Sequence, residues 1–167
     1  MWAEATGMEI FSMASITGKY RILFVCRGNT CRSPMAEAWF RELCRREDVS
    51  PVEVKSVGLC TMSGGVQAPV RVVLMEEGVD IGNFSSSPLT VERVKNADLV
   101  VAMTRQQRQM IVDLVPEAAD KAQTLLSFAG RDGDIDDPYG GDTYAYRLCL
   151  QAMKPAMRAL LDNVRQR

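Results

Sequence analysis

The stretch Cys26-Arg27-Gly28-Asn29-Thr30-Cys31-Arg32-Ser33-Pro34 lies between an apolar run, Ile22 to Val25, and a segment with helical spacing that begins near Pro34. A run that is apolar on both faces reads as a strand buried inside a parallel sheet, and the helix after it must cover that sheet. The first unit is therefore strand, tight loop, helix. That order gathers successive backbone N–H groups and the positive end of a helix around one point, an arrangement suited to an oxyanion. Cys26, at the carboxyl end of the strand, faces the same point. An ordinary thiol is mostly protonated at neutral pH, but a helix N-terminus and a nearby arginine favour the thiolate, so a loop that binds the anion also prepares a nucleophile. Arg32 adds a planar fork matched to two phosphate oxygens, and Ser33 offers a hydroxyl to the sulfur. Gly28 and Asn29 are expected to take the unusual backbone angles that the turn needs.

The rest of the chain repeats the alternation. After the strand Arg21–Val25, residues 34–47 carry Met35, Trp39 and Leu43 at helical spacing, and Val52–Val57 alternates as a second strand. Leu59–Gly65 is a loop of small residues, and Pro69–Glu77 is a helix stopped by Gly78. Asp98–Met103 is a third strand. Thr104 caps a helix that runs to Leu114 ahead of Pro116, and Gln123–Leu126 is a short fourth strand. A turn-rich stretch, residues 132–142, leads into a long helix, Thr143–Val164, with Leu148, Ala152, Ala156 and Leu160 on one face and Pro155 as a local misfit inside it. Strands alternating with helices mean an α/β layered domain, and 167 residues fit one such domain, here residues 20–167. Residues 1–19 read as a flexible extension without the features of a signal peptide or a membrane span.

Composition removes several kinds of chemistry. The chain has no histidine, which excludes Ser-His-Asp and Cys-His catalysis, and its net charge of -1 gives no footprint for nucleic acid. The five cysteines, Cys26, Cys31, Cys44, Cys60 and Cys149, show no zinc-ligand spacing. No metal or cofactor is expected, and a reducing cytoplasm is the expected location.

Three further segments occur in a telling order: Ser85-Ser86-Ser87-Pro88-Leu89-Thr90, Ala97-Asp98-Leu99-Val100-Val101-Ala102-Met103-Thr104 and Asp137-Pro138-Tyr139-Gly140. With Val25 to Glu37 they resemble the low-molecular-weight protein tyrosine phosphatases and the related bacterial protein-arginine phosphatases over about residues 20 to 165. The resemblance implies a flavodoxin-like four-stranded parallel sheet in the order 2-1-3-4. It implies a nucleophile Cys26, a phosphate-binding Arg32 and a general acid in the Asp137 loop, where Asp136 is the rival to Asp137. Phosphate and substrate would be held by Arg27, Gly28, Asn29, Thr30, Cys31 and Ser33, with Tyr139 as an aromatic wall. A supporting network of Asn29, Ser33 and Ser56 is also implied, although Phe84 stands where the family carries the histidine that ends it.

Thr30 matches the arginine-directed relatives, where tyrosine-directed ones usually carry a larger aliphatic residue, so phosphoarginine in proteins is the expected substrate and phosphotyrosine the alternative. Cys31, five residues after Cys26, is expected to protect it by a reversible disulfide. An arsenate reductase ranks lower because residues 103–114 contain no cysteine, and a noncatalytic phosphoprotein-binding module ranks lower because Cys26, Arg32 and Asp137 are all present. The expected partners are phosphorylated proteins, with the chain a monomer or at most a weak dimer. Leu59, Met62 and Trp39 have no clear place in the site, and core packing is expected for Trp39, Cys44 and Cys149.

Overall fold

A computed structural model describes residues 18–61 and 64–167; most of the expected extension, and Met62, lie outside them. Four parallel strands, β1 (Tyr20–Cys26), β2 (Val52–Gly58), β3 (Leu99–Ala102) and β4 (Ala122–Thr124), form one sheet in the order β2-β1-β3-β4. The helices are α1 (Arg32–Arg46), α2 (Ala68–Glu76), α3 (Val91–Asn96), α4 (Arg105–Leu114) and α5 (Thr143–Arg165).

Alternation along β1 builds two cores. Ile22, Phe24 and Cys26 join the larger cluster with Met35, Phe40, Leu74, Leu150, Met153 and Met157 from α1, α2 and α5. Leu23 and Val25 join a smaller one with Val94, Val100 and Ile111 on the side of α3 and α4. Both faces of the sheet are covered, which is why the strand reads as continuously apolar.

The expected sheet order holds, as do the Thr104 cap and the Gly78 stop. Thr104 accepts from the Gln107 N–H at 3.0 Å and Gly78 takes φ 73° after α2, while Asp142, a cap not expected from the sequence, accepts from the Ala145 N–H at 3.0 Å. Four details differ from the sequence reading. Helix α1 starts at Arg32, two residues earlier than expected, because Cys31 occupies its N-cap. β4 ends at Thr124, where the chain tightens into a 3-10 turn over Leu125–Ala129. The short α3, capped by Thr90, is not expected from the sequence at all. On α5 the buried face is Tyr146, Cys149, Leu150, Met153, Met157 and Leu160, so Ala156 and Leu160 are buried as expected but Leu148 and Ala152 face solvent. Pro155 lies on that exposed face, as does Gln151 one turn earlier, whose carbonyl has no Pro155 N–H to accept from.

Candidate active site

β1 ends at Cys26, which pairs in register with Gly58 of β2, and the following loop curls over the carboxyl ends of both strands. The approach is close. A Cβ at Gly58 would lie 2.8 Å from the Gly28 carbonyl carbon and 2.9 Å from the Asn29 nitrogen, so only glycine lets the loop settle there.

The loop's carbonyls are held outward. Cys26 O accepts from the Leu59 N–H at 3.0 Å, Arg27 O from the Cys60 N–H at 2.8 Å, and Thr30 O from the Gln67 N–H at 3.0 Å. Asn29 O accepts from the Ser86 hydroxyl at 2.8 Å and Cys31 O from the Met35 N–H at 3.1 Å. Because each trans peptide sets its N–H opposite its C=O, these five bonds turn the N–H groups of residues 27, 28, 30, 31 and 32 toward the inside of the curl. No side chain caps α1, whose first N–H groups belong to the same cradle.

Cys26 is buried at the base of the cradle. Its sulfur lies 2.9 Å from the Ser33 hydroxyl and 3.3 Å from the Asn29 N–H. Asn29 takes φ 55°, a left-handed conformation tolerated by asparagine, whereas Gly28 stays outside that region. The expected network is present. The Asn29 amide nitrogen donates to the Ser33 and Ser56 hydroxyls, each at 2.9 Å, and its oxygen accepts from the Ser87 N–H at 2.9 Å. Phe84 does not end that network; the Ser56 hydroxyl donates instead to the carboxylate of Glu37. Phe84, Ser56 and Glu37 border a separate cavity of about 650 Å³ behind the loop.

Arg32 is almost fully buried. It donates through Nη1 to the Ile135 carbonyl at 2.9 Å, and Nη2 lies 3.3 Å from the Asp137 carboxylate. Its Nε is buried without a hydrogen-bond partner, which fits a donor aimed at an oxyanion. The acid loop is fixed by the buried Ile135, whose N–H donates to Met103 O at 2.9 Å, and Asp137 itself accepts from the Tyr139 N–H at 3.1 Å. Asp137 borders the cleft and Asp136 does not; the Asp136 carbonyl is contacted by the Cys149 thiol at 3.7 Å.

Cys26, Arg27, Gly28, Thr30, Cys31, Arg32, Asp137 and Tyr139 line one cleft of about 690 Å³. Ser33, Asn29 and Ser56 stand behind it as supports. The sequence reading missed Val66 and Gln67, which also line the cleft, and Tyr146, whose hydroxyl lies 3.3 Å from the Cys31 sulfur. Burial pushes both the Cys31 thiol and the Tyr146 phenol above their usual ranges. Leu59 packs against the smaller core, and Trp39 is buried with Lys154 and Arg158 over its ring. Cys44 and Cys149 are buried core thiols, pushed up to about 11 and about 12 by desolvation. Among the described residues no cluster of metal-ligating side chains occurs.

Comparison with known proteins adds to this geometry. A protein-arginine-phosphatase of Geobacillus stearothermophilus is 42% identical over 150 residues, which cover 89% of this chain and 95% of the relative. A low molecular weight protein-tyrosine-phosphatase of Streptomyces coelicolor is 35% identical over 158 residues, 88% of this chain and 94% of the relative. A solved structure of the arginine phosphatase YwlE, a Cys→Ser mutant with a phosphorylated active site serine, superposes with a TM-score of 0.82 at 37% identity, covering 87% of this chain and 95% of that one. The family profile described as low molecular weight phosphotyrosine protein phosphatase matches residues 21–167, and the chain belongs to that family.

Proposed function

We propose that the chain hydrolyses phosphorylated protein side chains through a phosphocysteine at Cys26, with phosphoarginine as its preferred substrate. The observation that carries this reading is the convergence of Cys26, Arg32 and Asp137 on one cleft, with the Arg32 fork beside the Asp137 carboxylate. In the first step the Cys26 thiolate attacks phosphorus in line. The S–P bond forms, the bond from phosphorus to the leaving nitrogen or oxygen breaks, and Asp137 gives the leaving atom its proton. Arg32 and the inward N–H groups hold the three equatorial oxygens throughout. In the second step Asp137 takes a proton from water, the water oxygen attacks phosphorus, and the S–P bond breaks to release phosphate and regenerate the thiolate. The relative trapped with a phosphorylated serine in its active site supports a covalent intermediate of this kind.

Thr30 borders the cleft and brings a hydroxyl where an aliphatic side chain would present only carbon, which supports the arginine preference. The names of the relatives support both substrate classes. Phosphate release from matched phosphoarginine and phosphotyrosine peptides tests the choice, with Cys26→Ser as the blank. Faster release from phosphoarginine, shifted toward phosphotyrosine by Thr30→Ile, is expected; faster release from phosphotyrosine in the parent would overturn the preference.

Cys31 supports a protective role beside the nucleophile. Peroxide would convert the Cys26 thiolate to a sulfenic acid with loss of hydroxide, and the Cys31 thiol would then displace water to close a disulfide. Inactivation by peroxide should be reversed by thiols in the parent and become irreversible in Cys31→Ser. The five free cysteines support a reducing cytoplasm as the place of action, and a monomer is the proposed state. Among the described residues no helix is long and apolar enough to cross a membrane.

A further inference from the structure

We infer that Arg27 is a specificity-determining residue of the cleft: its guanidinium selects phosphorylated side chains that have an acidic residue beside them in the substrate chain. The inference rests on the phosphatase reading and deepens it by naming a feature of the substrate outside the phosphorylated residue itself.

The two arginines of the nucleophile loop have opposite surroundings. Arg32 is buried, donates to the Ile135 carbonyl at 2.9 Å and lies 3.3 Å from the Asp137 carboxylate. Arg27 also lines the cleft, but it is exposed, and among the described residues its side chain donates no hydrogen bond and meets no carboxylate. Its backbone, by contrast, is held: the carbonyl accepts from the Cys60 N–H at 2.8 Å, one of the bonds that shape the cradle. A fixed root thus carries a free planar fork of N–H donors that keeps its charge at any working pH.

Of the residues that line the cleft, Arg27, Arg32 and Asp137 carry charge, and the rest are neutral. Met62 and Ser63, which follow Cys60 in the chain but lie outside the described residues, bring no charge either. Arg32 and the inward N–H groups answer the phosphate at the base, and in the proposed first step Asp137 carries a proton. Arg27 is left as the charge that the rest of the substrate meets. Consecutive Cα atoms are about 3.8 Å apart, so when a phosphorylated side chain enters the cleft its chain neighbours stay at the opening, within the sweep of a long arginine. A carboxylate there gains a charge-assisted hydrogen bond from the fork, and an ammonium meets a like charge. Exposed pairs are individually weak and screened by salt, which limits the discrimination to about tenfold.

The test is steady-state phosphate release from two peptides that differ only in the residues on either side of the phosphorylated one, glutamate in the first and lysine in the second. Both are built on whichever of phosphoarginine and phosphotyrosine the parent hydrolyses faster. At low salt the parent should favour the glutamate peptide roughly tenfold in kcat/KM, with the difference in KM and not in kcat, and about 0.5 M NaCl should shrink the preference to about twofold. Arg27→Gln, which keeps a long polar side chain without the charge, should abolish the preference, and Arg27→Glu should reverse it. Each protein is read by the ratio of its two peptides, so a loss common to both, as expected if Arg27 also touches phosphate, does not mimic the result. Equal kcat/KM for the two peptides in the parent, or a preference that survives in Arg27→Gln, would overturn the inference. A parent protein that releases phosphate from neither peptide would instead sink the phosphatase reading on which it rests.

Discussion

On the cleft side of the nucleophile loop the Asp137 side chain is 42% exposed and Tyr139 68% exposed, while on the far side Asn29 and Ser33 have no contact with solvent. The cleft wall is a turn that a few bonds hold to the rest of the chain: Ile135 to Met103, Arg32 to Ile135 and Asp137, and Cys149 to Asp136. The rear wall is a closed set in which Asn29 alone joins Ser33, Ser56, Ser86 and Ser87. The difference separates two tasks. Phosphate needs donors held to a fraction of an ångström, which a buried network provides, whereas protein side chains of differing shape need a wall that adjusts.

Substitutions on the two sides should therefore fail in different ways. Removing the acid from the cleft wall should have the largest effect on rate and the smallest on the fold. Asp137→Asn should lower kcat by about 10² or more on substrates with a poor leaving group and leave the melting temperature nearly unchanged, whereas Asp136→Asn should keep most activity. Equal losses at the two positions in steady-state assays would erase the distinction between them. Crowding the rear wall should cost both properties at once. Gly58→Ala forces the new methyl group into Gly28 and Asn29, so the protein should lose about 1–3 kcal/mol in urea unfolding together with much of its phosphate release.

The smallest effect on the reaction concerns pH and the deeper core. Burial raises the Cys44 and Cys149 thiols to about 11 and about 12 in the folded chain, against an ordinary value of 9.0. Above pH 9 the unfolded chain releases these protons first, so the folded state binds more protons and loses stability as pH rises toward 12. Below pH 9 the contribution is fully present. Urea unfolding between pH 8 and pH 11 should show this decline, and Cys44→Ala should remove part of it without touching the cleft.

How far the sequence discloses this arrangement depends on whether the chemistry is contiguous. Cys26 to Ser33 and Asp137 to Tyr139 are short runs in which spacing carries the meaning, so the residues that meet in the cleft, Cys26, Arg32 and Asp137, are legible in the order of residues alone. Glu37 and Tyr146 are not. Glu37 reads as one more charge on a helix, and only the fold sets it against Ser56, 19 residues away. Tyr146 meets Cys31 across 115 residues. The buried face of α5 differs from expectation in its first three turns because Tyr144, Tyr146, Leu148 and Leu150 put apolar residues on every side near its start, and periodicity cannot choose among them. The six-residue α3 has too few turns to show a period at all.

Helix α5 touches the nucleophile loop through Tyr146 and the acid loop through Cys149, and these residues are neighbours on one face, less than a turn apart. In the proposed mechanism, attack and protonation thus hang from a single rod. A tilt of its first turns would carry both loops together and keep sulfur and carboxylate in step, so the two halves of the reaction share one alignment instead of needing two.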